Sequence, residues 1–193
     1  MDAIQILTVT EIDRDMALDT LLLGFANDPL TRWICPEAHT YMDIRTGYNA
    51  FAGRAIDHGG AFASEGFGGV TMWLPPGVDP DSETLSSEFQ QLCKDEILEE
   101  VFAVFEAMAA YHPEEPCWYL PMIGVDPAYQ GQGIGAALMK HVLRIIDEQG
   151  ATAFLESSNP RNISLYQRHG FEDMGQIQVG SSPVITPMLR VAR

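Results

Sequence analysis

Basic residues are scarce in this chain: 11 Lys and Arg stand against 27 Asp and Glu in 193 residues, a net charge of −16. Nucleic-acid binding depends on clustered Lys and Arg. The few here are scattered, so neither nucleic acid nor an anionic membrane is expected as a partner. Only three cysteines occur, Cys35, Cys93 and Cys117, without C-x-x-C spacing. They fit a reducing, cytoplasmic compartment better than a disulfide framework or a zinc site. The five histidines, His39, His58, His112, His141 and His169, also lack metal-ligand spacing, and no metal is expected. Long apolar runs are missing too. The longest, residues 101–111, contains Glu106 and is too short to span a bilayer. Met1-Asp2-Ala3-Ile4-Gln5 carries no basic segment of the kind that opens a secretory leader.

What is present is the make-up of a globular chain, 46% apolar and long enough for one domain, 1–193, with a sizeable core. Residues 4–9 read as a strand. Asp13 is placed to cap a helix running to about Ala26, with Met16, Leu18, Leu21, Leu22 and Phe25 on its apolar side. Asp28-Pro29 breaks it. A second helix is expected over about 41–57, ending at His58-Gly59-Gly60. Strands 61–64 and 68–74 follow, joined through Gly66, and Leu74-Pro75-Pro76-Gly77 turns the chain. Residues 79–115 hold eleven Asp and Glu against Lys94 alone. They read as one helix or two, capped at Ser82 or Asp95. Their charge is that of a solvated face or, alternatively, of a funnel for a cationic ligand. Then come strand 117–125, helix 133–149, strand 152–157, helix 163–168, and strands 171–179 and 184–191 joined by Gly180-Ser181-Ser182-Pro183. This order predicts an α/β fold: a mixed sheet with helices on both faces.

The chemistry concentrates in Val125-Asp126-Pro127-Ala128-Tyr129-Gln130-Gly131-Gln132-Gly133-Ile134-Gly135-Ala136. An apolar run from Trp118 stops at a proline turn, three glycines alternate with other residues, and an amphipathic helix begins. A glycine loop at a helix start presents unpaired backbone N–H groups, backed by the positive end of the helix dipole. Such a loop seats a phosphate or pyrophosphate. Gly131 to Ala136 also fits G-x-G-x-x-A, with Glu156 about twenty residues on, as in a dinucleotide-binding unit. Two features count against that reading. Asp126 to Gln130 separate the strand from the first glycine, and fewer than forty residues follow Glu156.

Gln130-x-x-Gly133-x-Gly135, after a strand ending Gly124-Val125, resembles the coenzyme A-binding signature of the GNAT acetyltransferase superfamily. A second block agrees: Phe154-Leu155-Glu156-Ser157-Ser158, then Asn159-Pro160-Arg161-Asn162-Ile163-Ser164-Leu165-Tyr166, then His169-Gly170-Phe171. Over about His112 to Phe171 the chain is similar to the branch containing puromycin N-acetyltransferase, through Glu115-Pro116-Cys117-Trp118-Tyr119-Leu120, Gly124-Val125-Asp126-Pro127 and Phe154-Leu155-Glu156-Ser157. Phe25-Ala26-Asn27-Asp28-Pro29 and Trp73 add a general likeness over residues 1–110.

The resemblance implies a mixed, mostly antiparallel sheet of about six to seven strands flanked by helices. It also implies a V-shaped cleft between strands 117–125 and 152–157, which diverge after a bulge. It implies acetyl-CoA (coenzyme A) as cofactor. The pantetheine arm would pair with the backbone of Ile123, Gly124 and Val125 as an added strand does. The pyrophosphate would lie over the N–H groups of Gly131, Gln132, Gly133, Ile134, Gly135 and Ala136. Gln130 would shape the loop, and Asn162 and Ser164 would hold the pantetheine. Tyr166 takes the position that supplies an acid to the thiolate leaving group. A backbone N–H near Gly124 or Val125 would face the oxyanion. Many relatives carry a basic Glu on the strand matching 117–125, and this chain has none between Trp118 and Val125. Glu156, which matches a Glu of puromycin-type relatives, is the first candidate for that base. Glu65 and His112 stand behind it. The plainer readings are a core tyrosine at Tyr166 and a structural acid at Glu156. Trp33 is core or lines an aromatic acceptor pocket.

The resulting expectation is an acetyl-CoA-dependent N-acetyltransferase, monomer or homodimer. It would act by direct attack in a ternary complex on the primary amine of a small, cationic molecule. Two rivals stay open. One is a protein acetyltransferase acting on a lysine or an N-terminus. The other is an acyl-CoA-binding module without catalysis.

Overall fold

A computed structural model describes residues 4–193; residues 1–3, the head of the N-terminal stretch considered above, lie outside them. The chain opens with β1 (Ile6–Thr8) and a capping box in which Thr10 donates through N and Oγ1 to Asp13 Oδ2, at 3.0 and 2.7 Å. That box precedes α1 (Arg14–Phe25), so Asp13 caps a short 3-10 turn rather than the helix itself. Ala17, Leu18, Leu21 and Leu22 are buried, while Met16, expected on the apolar side, is half exposed.

Asp28 ends α1 as expected, and it also starts a helix that was not expected. Its Oδ1 accepts from Thr31 N at 3.0 Å, and Pro29 fills the first position of α2 (Pro29–Ile34), where a missing N–H costs nothing. The single helix expected over 41–57 is three short ones: α3 (Ala38–Asp43), α4 (Arg45–Ala52) and α5 (Arg54–Asp57). A long-range contact marks the second break. Arg14 Nη1 reaches Asn49 Oδ1 at 2.8 Å and the Gly53 carbonyl at 3.2 Å.

β2 (Ala61–Ser64) and β3 (Gly69–Leu74) follow, then α6 (Ser82–Leu92), capped by Asp81, and α7 (Asp95–Tyr111). The second half runs β4 (Trp118–Val125), α8 (Ile134–Glu148), β5 (Ala153–Ser157), α9 (Ile163–Arg168), β6 (Glu172–Asp173) and β7 (Thr186–Arg190). The strand expected over 171–179 shrinks to two residues plus a bridge from Ile177 to Ile185. Met174 N donates to the Pro187 carbonyl at 2.9 Å, but Pro187 has no N–H to return, and the ladder lapses there.

The described residues form one seven-stranded sheet, ordered β1-β2-β3-β4-β5-β7-β6 and antiparallel except between β4 and β5. Strand alternation sends side chains to two faces. Trp73, Trp118, Leu120 and Leu155 pack with α8 and Tyr166 on one face. Val70, Met72, Leu74, Tyr119, Met122 and Phe154 pack with the N-terminal helices on the other. Among the described residues no helix is long and apolar enough to cross a membrane.

Candidate active site

The site begins where β4 and β5 part. Trp118 pairs with Ala153, Tyr119 with Phe154 and Leu120 with Leu155, and the parallel ladder stops there. On its other edge β4 slips register: Leu74 faces Tyr119, yet Met72 faces Met122, so β4 carries one extra residue. That bulge falls at Leu120-Pro121. A bulge bends its strand, and Pro121 has no N–H to offer β5. The two strands therefore splay, and the β5-facing edge of β4 from Pro121 to Val125 is left without a strand partner.

The far bank of this cleft is the corner between α1 and α2. It approaches closely because two glycines meet there: a Cβ on Gly24 would lie 2.8 Å from Gly124 Cα. Leu23, Phe25, Asn27 and Asp28 line that bank. Opposite them stand Ile123, Gly124, Val125, Gln130, Gly135, Asn162 and Tyr166. Gln130 Nε2 donates to the Val125 carbonyl at 3.0 Å and latches the loop to the end of β4. Gly131 and Gly133 have φ of +76° and +84°, which side chains resist, and no atom would lie within 4 Å of a Cβ on either. The space above the loop is therefore open. Ile134, Gly135 and Ala136 begin α8 and point their N–H groups toward it. Gln132 is exposed beside them. Arg161, which the sequence reading passed over, also lines the cleft and brings a positive charge to a strongly acidic chain.

On α9 the residues face different ways. Asn162, Leu165 and Tyr166 line the cleft, at the spacing of one helical face. Ser164 is exposed on the outer side, where its Oγ accepts from Arg168 Nη1 at 3.3 Å. Tyr166 is only 5% exposed, yet it lines both the open cleft and the narrow passage leading inward from it. Burial, with some help from the charge of Asp28, raises its phenol above the usual value, and the Asn162 side chain works against that shift.

The inward passage ends at Glu156. Alternation along β5 places it on the same face as Phe154, away from Leu155. Its Oε1 is buried without a hydrogen-bond partner among the described residues. Burial pushes the carboxyl up to about 8, and the Tyr119 phenol partly offsets the shift. Beyond Glu156 lies an apolar chamber that includes Phe25, Tyr48, Phe51 and Phe105. A wider vestibule adjoins it, with Tyr119, His112, Asp79 and Glu106 among its lining.

The alternative bases fall in different places. His112 shares the vestibule with Glu156, its ring 4.7 Å from that of Tyr119, and burial lowers its pKa. Glu65 is exposed on the turn between β2 and β3, away from both chambers. Trp33 packs outside the chamber, beside Ile177 and Ile185, and donates to Ser181 Oγ at 3.1 Å. Asp28 is the residue that sequence reasoning used as a helix stop and within a general likeness, without a role in the site. It is 6% exposed, lines the cleft, the passage and the chamber, and accepts from Ser158 Oγ at 2.6 Å. The cysteines are buried and free, with thiols pushed up to about 12 at Cys35, about 11 at Cys93 and about 11 at Cys117, chiefly by burial.

Residues 73–171, about half of the chain, match the acetyltransferase (GNAT) family, and the chain belongs to that family of enzymes. An uncharacterized N-acetyltransferase of Schizosaccharomyces pombe is 24% identical over 175 residues, covering 82% of this chain and 70% of its own length. Among solved structures, a protein of Corynebacterium glutamicum described as histone acetyltransferase HPA2 and related acetyltransferase superposes with a TM-score of 0.72. It is 23% identical, with 100% of this chain and 98% of that one covered. Arylalkylamine N-acetyltransferase 2 of Aedes aegypti gives 0.71 at 13% identity, with both chains fully covered. At such identities the structural likeness is one of fold.

Proposed function

We propose that this enzyme is an acetyl-CoA-dependent N-acetyltransferase that acetylates the primary amine of a small molecule directly, with both reactants bound together. The observation that carries the reading is the end of pairing at Leu120 and Leu155. It opens a cleft with a bare glycine loop at one end and Glu156 at the other.

The residues present suit the cofactor. The unpartnered edge of Ile123, Gly124 and Val125 offers backbone groups to an amide-bearing arm. Gly131 to Ala136 offer N–H groups to a pyrophosphate, with Gln130 holding the loop. Arg161 adds charge, and Asn162 and Tyr166 close the inner side. Ser164 orders α9 through Arg168. When bound, acetyl-CoA supplies a thioester carbonyl open to attack and a thiolate to be protonated. Glu156 takes the proton that an ammonium must lose before its nitrogen can attack. A backbone N–H near Gly124 or Val125 faces the oxygen on which charge develops. Tyr166 holds the proton for the departing sulfur. With every cysteine thiol raised, no cysteine side chain is primed as a nucleophile, which favours direct transfer.

A ring-lined chamber of about 80 Å³ favours a small acceptor, as does the likeness of residues 112–171 to the puromycin-type branch. The acidic vestibule favours one rival, a lysine side chain. Thermal unfolding with acetyl-CoA, and with NADH as control, tests the cofactor. Ligand at 100 times its Kd adds about 2.7 kcal/mol, on the order of 5–10 °C in Tm for a chain of this size. No shift with acetyl-CoA would sink the proposal. A shift is followed by thiol release with amines and with lysine peptides, and faster release with the peptides would transfer the assignment to the rival.

A further inference from the structure

The chamber beyond Glu156 is chemically two-ended. Among the described residues its only lining carboxylates are Asp28 and Glu156, and both also line the passage toward Tyr166. Asp28 is fixed there by Thr31 N and Ser158 Oγ. The side toward the vestibule is built from rings, with Glu156 at the border between the two sides and Asp28 on the passage side alone. Phe51 meets Phe105 edge-on at 5.9 Å and Tyr119 at 6.1 Å, and Phe89 lies 4.7 Å from Phe105. Met108, on α7, completes that end with an adaptable side chain. The chamber measures about 80 Å³ and shares Phe51, Phe105 and Met108 with a vestibule of about 670 Å³. Together they match the size of a small-ligand pocket, roughly 300–1,000 Å³.

We infer that the acceptor is a monoamine on an aromatic or branched apolar body, its nitrogen between Asp28 and Glu156 and its body among Phe51, Phe105 and Met108. This rests on the acetyltransferase reading above and narrows it. Charge is gathered at the end where the acetyl group must arrive, and apolar surface at the end where the remainder of the acceptor must lie. A second ammonium placed among the rings would be buried without a partner, at heavy cost. It would escape that cost only by reaching Asp79 and Glu106 in the vestibule. A polyamine is therefore the competing occupant.

The test compares phenethylamine, tryptamine and isoamylamine with ethanolamine, putrescine and spermidine, by acetyl-CoA-dependent thiol release. The apolar amines are expected to exceed ethanolamine in kcat/KM by about 100-fold or more, since each buried methylene contributes about 10-fold or more in a fitted pocket. They are expected to exceed the polyamines as well. Met108→Trp, which fills the chamber, lowers turnover of the ring-bearing amines by about tenfold or more. The acetyl-CoA-induced Tm shift stays intact and shows that this variant folds. Met108→Ala, which enlarges the chamber, moves the preference toward the larger ring of tryptamine and carries the test if the tryptophan variant misfolds. Preference for spermidine or putrescine, or silence with every apolar amine in a protein that acetyl-CoA stabilises, overturns this inference and leaves cofactor binding standing. Absence of any acetyl-CoA shift overturns both readings.

Discussion

The Ser158 hydroxyl lies 2.6 Å from Oδ2 of Asp28 and joins the two banks of the cleft. One bank is the α1–α2 corner, and the other is the end of β5. The same carboxylate caps α2 through Thr31 N, so one buried side chain sets a helix start and the width of the passage together.

Asp28→Ala removes both bonds. A lost N-cap costs about 1 kcal/mol, and a buried bond to a charged group about 1.5–3 kcal/mol. The variant is expected to lose roughly 2–4 kcal/mol in urea unfolding. Ser158→Ala is expected to lose less, and the double variant less than the sum of the two, because they share one bond. Additive losses would show that the bond carries no coupling.

Tyr166→Phe keeps the ring against Phe171, at 6.2 Å, and removes only the hydroxyl. Turnover is expected to fall about 10²–10⁴-fold, with the acetyl-CoA-induced Tm shift nearly unchanged. Unchanged kcat would remove Tyr166 from the chemistry and leave it a core tyrosine.

The glycine loop separates strain from obstruction. At Gly133 a methyl group meets open space, but φ of +84° disfavours it. Gly133→Ala is expected to cost about 1 kcal/mol of stability while acetyl-CoA still binds. Gly133→Glu places a carboxylate where the pyrophosphate is proposed to lie, and the Tm shift should vanish. Tight binding by the glutamate variant would mean that the phosphates lie elsewhere.

These residues differ in how far they could be read from order alone. The run from Trp118 through the glycine loop, α8, β5 and α9 was legible because its signals are local: an apolar strand, a proline stop, alternating glycines and helical spacing. The splay between β4 and β5, and the bulge before it, were expected only through the resemblance, and the position of that bulge, at Leu120-Pro121, appears only in the pairing with β3. Residues 29–57 were illegible because distant bonds divide them, as Arg14 does at Gly53. Asp28 looked like a helix stop because Ser158, its partner, lies 130 residues away. Arg161 carried a usable signal, a rare positive charge between the two Asn residues of the second block. The chamber's rings come from α1, α4, α6, α7 and β4, and no stretch of sequence announces that they meet.

As the proposed base, Glu156 is expected to tie catalysis to stability, with opposite signs. Burial raises its carboxyl from the usual 4.5 to about 8. As pH rises between those values, the unfolded chain releases this proton while the folded chain keeps it. The folded state then binds more protons, so stability falls with pH across that window and levels off above about 8. Glu156→Gln removes this dependence. Its advantage over the parent in unfolding free energy, read by urea unfolding, should be near zero at pH 4.5 and grow through neutrality. It should plateau above pH 8 at on the order of a few kcal/mol, at about 1.4 kcal/mol per pKa unit. Catalysis runs the other way, since a base must be deprotonated to work. In the parent, kcat should rise with pH, and its midpoint should fall below 8 because a bound ammonium favours the carboxylate. The glutamine variant should lose that limb with most of its turnover. A variant that gains stability at high pH yet keeps full kcat would leave Glu156 as a buried structural acid and turn attention to His112, which shares the vestibule with it.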